Sequence, residues 1–184
     1  VSNSFSTAKS IVSILVGIAV DEGKIKSLDQ SVCDFLPEFC TDQNRLLTVR
    51  HLLMMSSGLN WDESYTSLFG PTTKAYYGTD LSEQVLELKV VSPPGVEFSY
   101  MSSNTELLAL ILQKATGTTL SEYASDKLWK PVGAELDAQW SLDHKEGVEK
   151  SYCCFYSNAR DFARIGKLFL NKGKWNGKQI VSED

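Results

Sequence analysis

Apolar positions along the chain fall into helical rather than alternating patterns. Residues 6–22 are apolar almost all round, which predicts a helix running through a core, with Gly23 placed to end it. Thr48 is placed to cap a second helix through "VRHLLMMSS" that stops at Gly58. Residues 81–89 follow a helical pattern, with Ser82 near the start. A helix from Asn104 to Ala115 is apolar at Leu107, Leu108, Leu110, Ile111 and Leu112, and ends at Gly117. Residues 119–130 form another, capped by Thr119. The amphipathic "NARDFARIGKLFLNKG" at 158–173 has Asn158 as cap and Gly173 as stop. Between these, "KIKSLDQSV" reads as a turn with a short connection, Pro37 as a break and "SPPG" at 92–95 as a strong breaker. Residues 59–80 carry Gly, Pro, Thr, Ser and five aromatics, which predicts a long loop of the kind that often serves function. No repeat is present and convincing strands are few, so the expected picture is mainly helical.

The 184 residues amount to one domain-sized unit. With 42% hydrophobic and 22% charged residues, the chain is too apolar and too weakly charged to be disordered. A net charge of -5 argues against nucleic acid as main partner and against an anionic membrane surface. The longest apolar stretch, Ile11 to Val20, is too short to span a bilayer. Asp21 and Glu22 follow it where a signal peptide would have small residues. The chain starts at Val1, reaches Lys9 before a complete element, and stops just after "QIV", so it reads as a piece of a longer protein. Of the four cysteines, Cys33 and Cys40 are too widely spaced for a paired zinc motif, and adjacent Cys153 and Cys154 seldom share a metal. They read as buried thiols, with a Cys33–Cys40 disulfide left open. No metal is expected.

The chemistry narrows by elimination. Only His51 and His144 are present, and there is no G-x-S-x-G elbow for either to serve. His51 reads as structural and His144 as solvated. The run Gly17 to Lys24 misses the phosphate-loop spacing by one residue and has Ile25 in place of Ser or Thr. What remains is Ser6-Thr7-Ala8-Lys9. Residues three apart share a helix face, and a lysine can replace histidine as a base where burial lowers its pKa from about 10.4. The helix N-terminus favours a developing alkoxide at Ser6, and backbone N–H groups there can face an oxyanion. Alone, that spacing has little specificity. "PPGVEFSYMSSNTELLAL" strengthens it, because Tyr100 stands after a rigid turn, just ahead of an apolar helix, where a phenol can relay a proton.

"SFSTAKSIVSILVGIAVDEGKIKSLDQSV", "TVRHLLMMSSGL", "PPGVEFSYMSSNTELLALILQKATG" and "ARDFARIGKLFLNKGKWNGKQIV" resemble, in order, the serine β-lactamase-related hydrolases. That family includes class C β-lactamases, DD-peptidases, family VIII esterases and 6-aminohexanoate-dimer hydrolases. "YMSSN", "GAELDAQWSLD" and "ARDFARIG" lean towards the last branch and the esterases. The resemblance implies an α+β fold of β-lactamase/transpeptidase type, present here as a mainly helical fragment lacking most of the sheet. It implies one partial domain over 1–184, truncated at both ends, with a nucleophile helix at about 6–22 and a helical lobe at about 30–184.

The resemblance places the nucleophile on Ser6, the helical lysine on Lys9 and the tyrosine on Tyr100. Ser102 stands where Asn is usual and Asn104 comes two later, so Ser102 is expected to offer a hydroxyl to substrate beside Asn104. Tyr65, in "NWDESYTS", is the counterpart of a mobile-loop tyrosine that closes on substrate. "SYCCFYSNARD" falls where the family brings a further segment near its site, which makes Tyr152 and Cys153 pocket candidates. No Lys-Thr-Gly or His-x-Gly triplet occurs, so the missing strands of the same protein are expected as structural partners. The implied activity is serine hydrolysis of esters or linear amides through an acyl-enzyme, on small-molecule substrates and without a cofactor. The alternative is a penicillin-binding-like sensor or binding protein without turnover, or an inactive fragment. Relatives are often exported, which implies a periplasmic or extracellular location.

Overall fold

A computed structural model describes residues 1–183. The chain opens with a short strand β1 (Ser2–Asn3), a 3-10 turn over Phe5–Thr7 and helix α1 (Ala8–Asp21). Ile11, Val12, Leu15, Val16 and Ala19 of α1 are wholly shielded from solvent. Each such aliphatic side chain larger than alanine contributes about 1.5–3 kcal/mol by burial. The helix closes as expected: Gly23 takes the left-handed conformation, and the Lys24 N–H donates back to the Ala19 carbonyl at 2.8 Å.

Helix α2 (Val49–Leu53) starts at Thr48, whose hydroxyl accepts from the His51 N–H, while His51 Nδ1 accepts from the Thr48 N–H. His51 is thus part of a cap, as its structural reading required. The helix is shorter than expected. Met55 adopts a left-handed φ of 52°, which ends it well before Gly58. At Gly58 a Cβ would lie 2.2 Å from the Ser92 carbonyl oxygen, so only glycine lets these two segments run together. Helix α3 (Pro71–Tyr77) lies inside the stretch expected to be a loop, started by a proline in its first turn. After it come α4 (Leu81–Leu86), α5 (Ser102–Thr116) and α6 (Leu120–Ala124), the last continuing as a π turn over Ser125–Trp129. The remaining elements are β2 (Gln139–Trp140), β3 (Phe155–Ser157), α7 (Ala159–Leu170) and the hairpin β4 (Lys174–Trp175) with β5 (Lys178–Gln179).

Helix α5 is the hub. Every residue from Ser102 to Leu112 is buried, and α1, α2, α4 and α6 pack around it. Strand β3 sits between β1 and β2 in a small antiparallel sheet, with Ser2 opposite Ser157 and Trp140 opposite Phe155. That pairing ties the start of the chain to the segment leading into α7. Helix α7 is fastened by Asp161, a fully buried carboxylate that accepts from the backbone N–H groups of Glu135 (2.8 Å) and Leu136 (3.2 Å). Burial alone would raise its pKa. Those two N–H groups, the Asn158 amide and Arg164 outweigh burial and hold it below the usual carboxylate range.

The reading of the cysteines as thiols is corrected. Cys33 joins Cys40, and Cys153 joins its neighbour Cys154, leaving no free cysteine among the described residues. The first pair was left open by its spacing. The second was not anticipated, since adjacency in sequence says nothing about a backbone bent tightly enough to bring both sulfurs together.

Candidate active site

Ser6 lies exposed in the turn that opens α1. The chain is fixed on the way in: the Ser4 N–H donates to the Phe155 carbonyl at 2.8 Å, and the Phe5 N–H to Asn3 Oδ1 at 2.9 Å. Phe5 has φ 46°, a left-handed conformation that a bulky residue adopts only at a cost of about 1–3 kcal/mol. One helical turn on, Lys9 Nζ lies 3.4 Å from Ser6 Oγ and donates to the Tyr152 carbonyl at 2.8 Å. The same Nζ stands 5.0 Å from the centroid of the Tyr100 ring and 5.7 Å from that of Tyr152. The hydroxyl and amine, three residues apart, meet the ring of Tyr100, distant in sequence, at the mouth of α1.

Ser6, Lys9 and Ser102 share a cavity of about 430 Å³ with Tyr65, Tyr152 and Cys153, and Phe5, Tyr76 and Tyr77 extend its aromatic wall. Of the residues expected at the site, Asn104 alone is turned fully inward. It is wholly buried, accepts from Ser57 Oγ at 2.7 Å and faces Met55 Sδ at 3.5 Å, so its amide braces the 55–57 segment rather than lining this cavity. Tyr152 is buried, its phenol is without a hydrogen-bond partner among the described residues, and burial holds that phenol well above its ordinary pKa.

Glu63 is the group that sequence reasoning missed. Its carboxylate accepts from the Ser102 N–H (2.7 Å), Ser102 Oγ (2.7 Å), Trp61 Nε1 (2.7 Å) and the Tyr65 phenol (2.5 Å). It thereby caps α5 from outside and ties the Tyr65 loop to it. Partial desolvation, with the adjacent Glu63 carboxylate, pushes the Tyr65 phenol up to about 12. The Ser102 hydroxyl, expected to face substrate, is engaged by Glu63. Only the acid's position in a polar loop was visible beforehand, and no pattern marks such a residue.

Glu106, by contrast, is wholly buried. Its Oε2 accepts from the Ser151 N–H (3.0 Å) and Ser151 Oγ (2.6 Å), while Oε1 has no partner among the described residues. Burial pushes its carboxyl up to about 8; the Ser151 bonds oppose this and the Glu149 and Asp143 carboxylates add to it. Among the described residues no three His, Cys, Asp or Glu side chains gather into a metal-holding cluster, and no helix is long and apolar enough to cross a membrane.

Comparison with known proteins follows the same lines. The family model described as "Beta-lactamase" matches residues 1–182. A 6-aminohexanoate-dimer hydrolase of Paenarthrobacter ureafaciens is 29% identical over 189 residues, covering 97% of this chain and 47% of the relative. A solved structure from Bacillus anthracis, assigned as a 6-aminohexanoate-dimer hydrolase, superposes with a TM-score of 0.88 at 26% identity over 98% of this chain and 50% of that one. A family VIII carboxylesterase shares the fold with a TM-score of 0.77 at 21% identity, covering 98% of this chain and 58% of that one. The chain spans about half the length of these relatives.

Proposed function

Because the chain belongs to the β-lactamase family, with its β-lactamase/transpeptidase-like fold, we propose that it carries the nucleophile of a serine hydrolase acting on small esters or linear amides. The observation that carries this reading is Lys9 Nζ lying 3.4 Å from Ser6 Oγ and 5.0 Å from the centroid of the Tyr100 ring. Ser6 Oγ attacks the substrate carbonyl carbon and its proton passes to the Lys9–Tyr100 pair. The Ser6 N–H receives the oxyanion, together with a second donor outside residues 1–184. Collapse of the tetrahedral adduct expels the alcohol or amine, which takes the proton back. Water then attacks the acyl-Ser6 ester by the same route in reverse.

The aromatic wall of Tyr65, Tyr76 and Tyr77 supports an uncharged, apolar acyl group over an ionised one. Two disulfides among the described residues support an oxidising compartment, periplasmic or extracellular. The test is labelling of the complete protein with a fluorophosphonate probe. Labelling that disappears in Ser6→Ala is the expected result. Absence of labelling in the wild-type protein overturns the nucleophile and leaves a binding or sensor protein. Parallel turnover of p-nitrophenyl butyrate and a chromogenic cephalosporin separates the ester reading, for which the first is hydrolysed faster, from a β-lactamase.

A further inference from the structure

The nearest hydrogen-bond partner of Lys9 Nζ is the Tyr152 carbonyl at 2.8 Å, with Ser6 Oγ further off at 3.4 Å. A lysine head on a flexible four-carbon stem goes where its acceptors hold it. The Tyr152 carbonyl belongs to the peptide that enters Cys153, and Cys153 is joined to Cys154. A bond between neighbouring cysteines closes a small covalent ring around their shared peptide and leaves the pair few backbone conformations. Cys154 is held at φ 61°, in the left-handed region that residues other than glycine rarely adopt.

Everything around this ring is fastened as well. Glu106 holds Ser151 through its N–H and hydroxyl. Trp140 Nε1 donates to the carbonyls of Cys153 (3.0 Å) and Lys150 (3.1 Å), and the Ser141 N–H to that of Cys154 (3.0 Å). The next residue, Phe155, accepts from the Ser4 N–H ahead of the nucleophile. The ring therefore lies between the acceptor of Lys9 and Phe155, whose carbonyl holds the chain leading into the turn of Ser6. Cys153 also faces the cavity, which gives a small reagent a route to it.

Resting on the hydrolase reading above, we propose that the Cys153–Cys154 disulfide is a positioning element for Lys9, locking the turn whose Tyr152 carbonyl holds the amine beside Ser6. Opening the ring frees Cys154 to leave its left-handed conformation, and the neighbouring peptides rotate with it. The carbonyl then leaves Lys9 and the amine loses its place. Reduction by a dithiol opens the ring. One reagent thiolate attacks Cys153 Sγ, the S–S bond breaks and Cys154 leaves as a thiolate that takes up a proton. The second reagent thiolate then attacks the first reagent sulfur and expels Cys153 as a thiolate that takes up a proton, leaving two protein thiols and a cyclic oxidised reagent.

The experiment follows fluorophosphonate labelling of Ser6 in the complete protein before and after dithiothreitol, with protein thiols counted by mass spectrometry. The expected result is a labelling rate at saturating probe that falls about tenfold on reduction. The probe concentration giving half the maximal rate stays unchanged, and oxidised glutathione restores the rate. A loss of folded protein alone would not produce that split or that recovery. Cys153→Ala/Cys154→Ala is expected to label at the reduced rate with or without dithiothreitol. Cys33→Ser/Cys40→Ser is expected to label as the parent does and keep its response. Equal labelling of reduced and oxidised protein, or a change confined to probe affinity, overturns the positioning role alone. Where the buried pair resists the reagent, an alanine variant labelling at the parent rate overturns it too. No labelling in either state overturns the hydrolase reading and the positioning role with it.

Discussion

Glu106 shows how one side chain can set a property of the whole protein. Its carboxyl, pushed up to about 8 by burial, keeps its proton in the folded state over a range where the unfolded chain has already released it. An acid raised on folding makes the native state bind more protons, so stability falls as pH rises from the ordinary carboxyl value of 4.5 towards about 8. The slope is on the order of 1 kcal/mol per pH unit and vanishes above that window. Glu149 and Asp143 are the acids that face it, and Lys150, whose amine burial pushes down, is the neighbouring base. Glu106→Gln keeps an amide oxygen for Ser151 and removes the titration. Thermal melts from pH 5 to 9 should show the parent losing stability relative to the variant between about pH 5 and 8 and running parallel to it beyond. Parallel curves throughout would mean that Glu106 ionises normally. From the sequence, Glu106 is merely an acid in "NTELLAL"; its burial follows from α5 being surrounded on all sides, which helical periodicity cannot tell from a solvated face.

At the scale of elements, the site is an agreement between α1, α5 and the loop that Glu63 fastens to α5. Glu63→Ala strips a partner from the Ser102 N–H, Ser102 Oγ, Trp61 and Tyr65 at once, and so loosens the whole 62–70 segment. KM for p-nitrophenyl butyrate should rise about tenfold with a smaller change in kcat, since the loop contributes wall rather than reacting atoms. Limited proteolysis should cut the variant within residues 62–70 faster than the parent, and equal cleavage with an unchanged KM would remove Glu63 from this role. Helices α1, α5 and α7 were legible because long apolar stripes and end signals such as Gly117 and Asn158 carry them. Ser6 and Lys9 were legible because three-residue spacing on a helix is a local rule. Helix α3 was not, since Pro71 and two threonines read as loop chemistry and its stability comes from packing on α4. Glu63 and the Cys153–Cys154 ring depend on contacts between segments far apart in sequence, or on a strained turn, and neither leaves a periodic trace.

For the molecule as a whole, the site is a corner whose walls are uneven. On one side stand α5, the Tyr65 loop and the 150–154 turn. On the other, Phe5 is 66% exposed beside Ser6, and Val91, Val96 and Phe98 are 69%, 79% and 70% exposed in the irregular segment leading to Tyr100. Exposed apolar surface of that extent is surface that folding ordinarily covers. The proposed hydrolase reading assigns that cover to a sheet whose strand also brings the second oxyanion donor; the relatives are about twice as long as this chain. Removal of one such donor lowers turnover by about 10²–10³-fold. Residues 1–184 produced alone should therefore bind a hydrophobic dye such as ANS strongly. They should hydrolyse p-nitrophenyl butyrate at no more than about a hundredth of the rate of the complete protein. Lys9 and Ser6 remain together in either form, because the contacts that join them lie wholly within α1 and the 150–154 turn. Fluorophosphonate labelling of the short chain should accordingly be slow yet still dependent on Ser6. Rapid turnover by residues 1–184 with little dye binding would place both oxyanion donors within this chain and remove the need for a covering sheet.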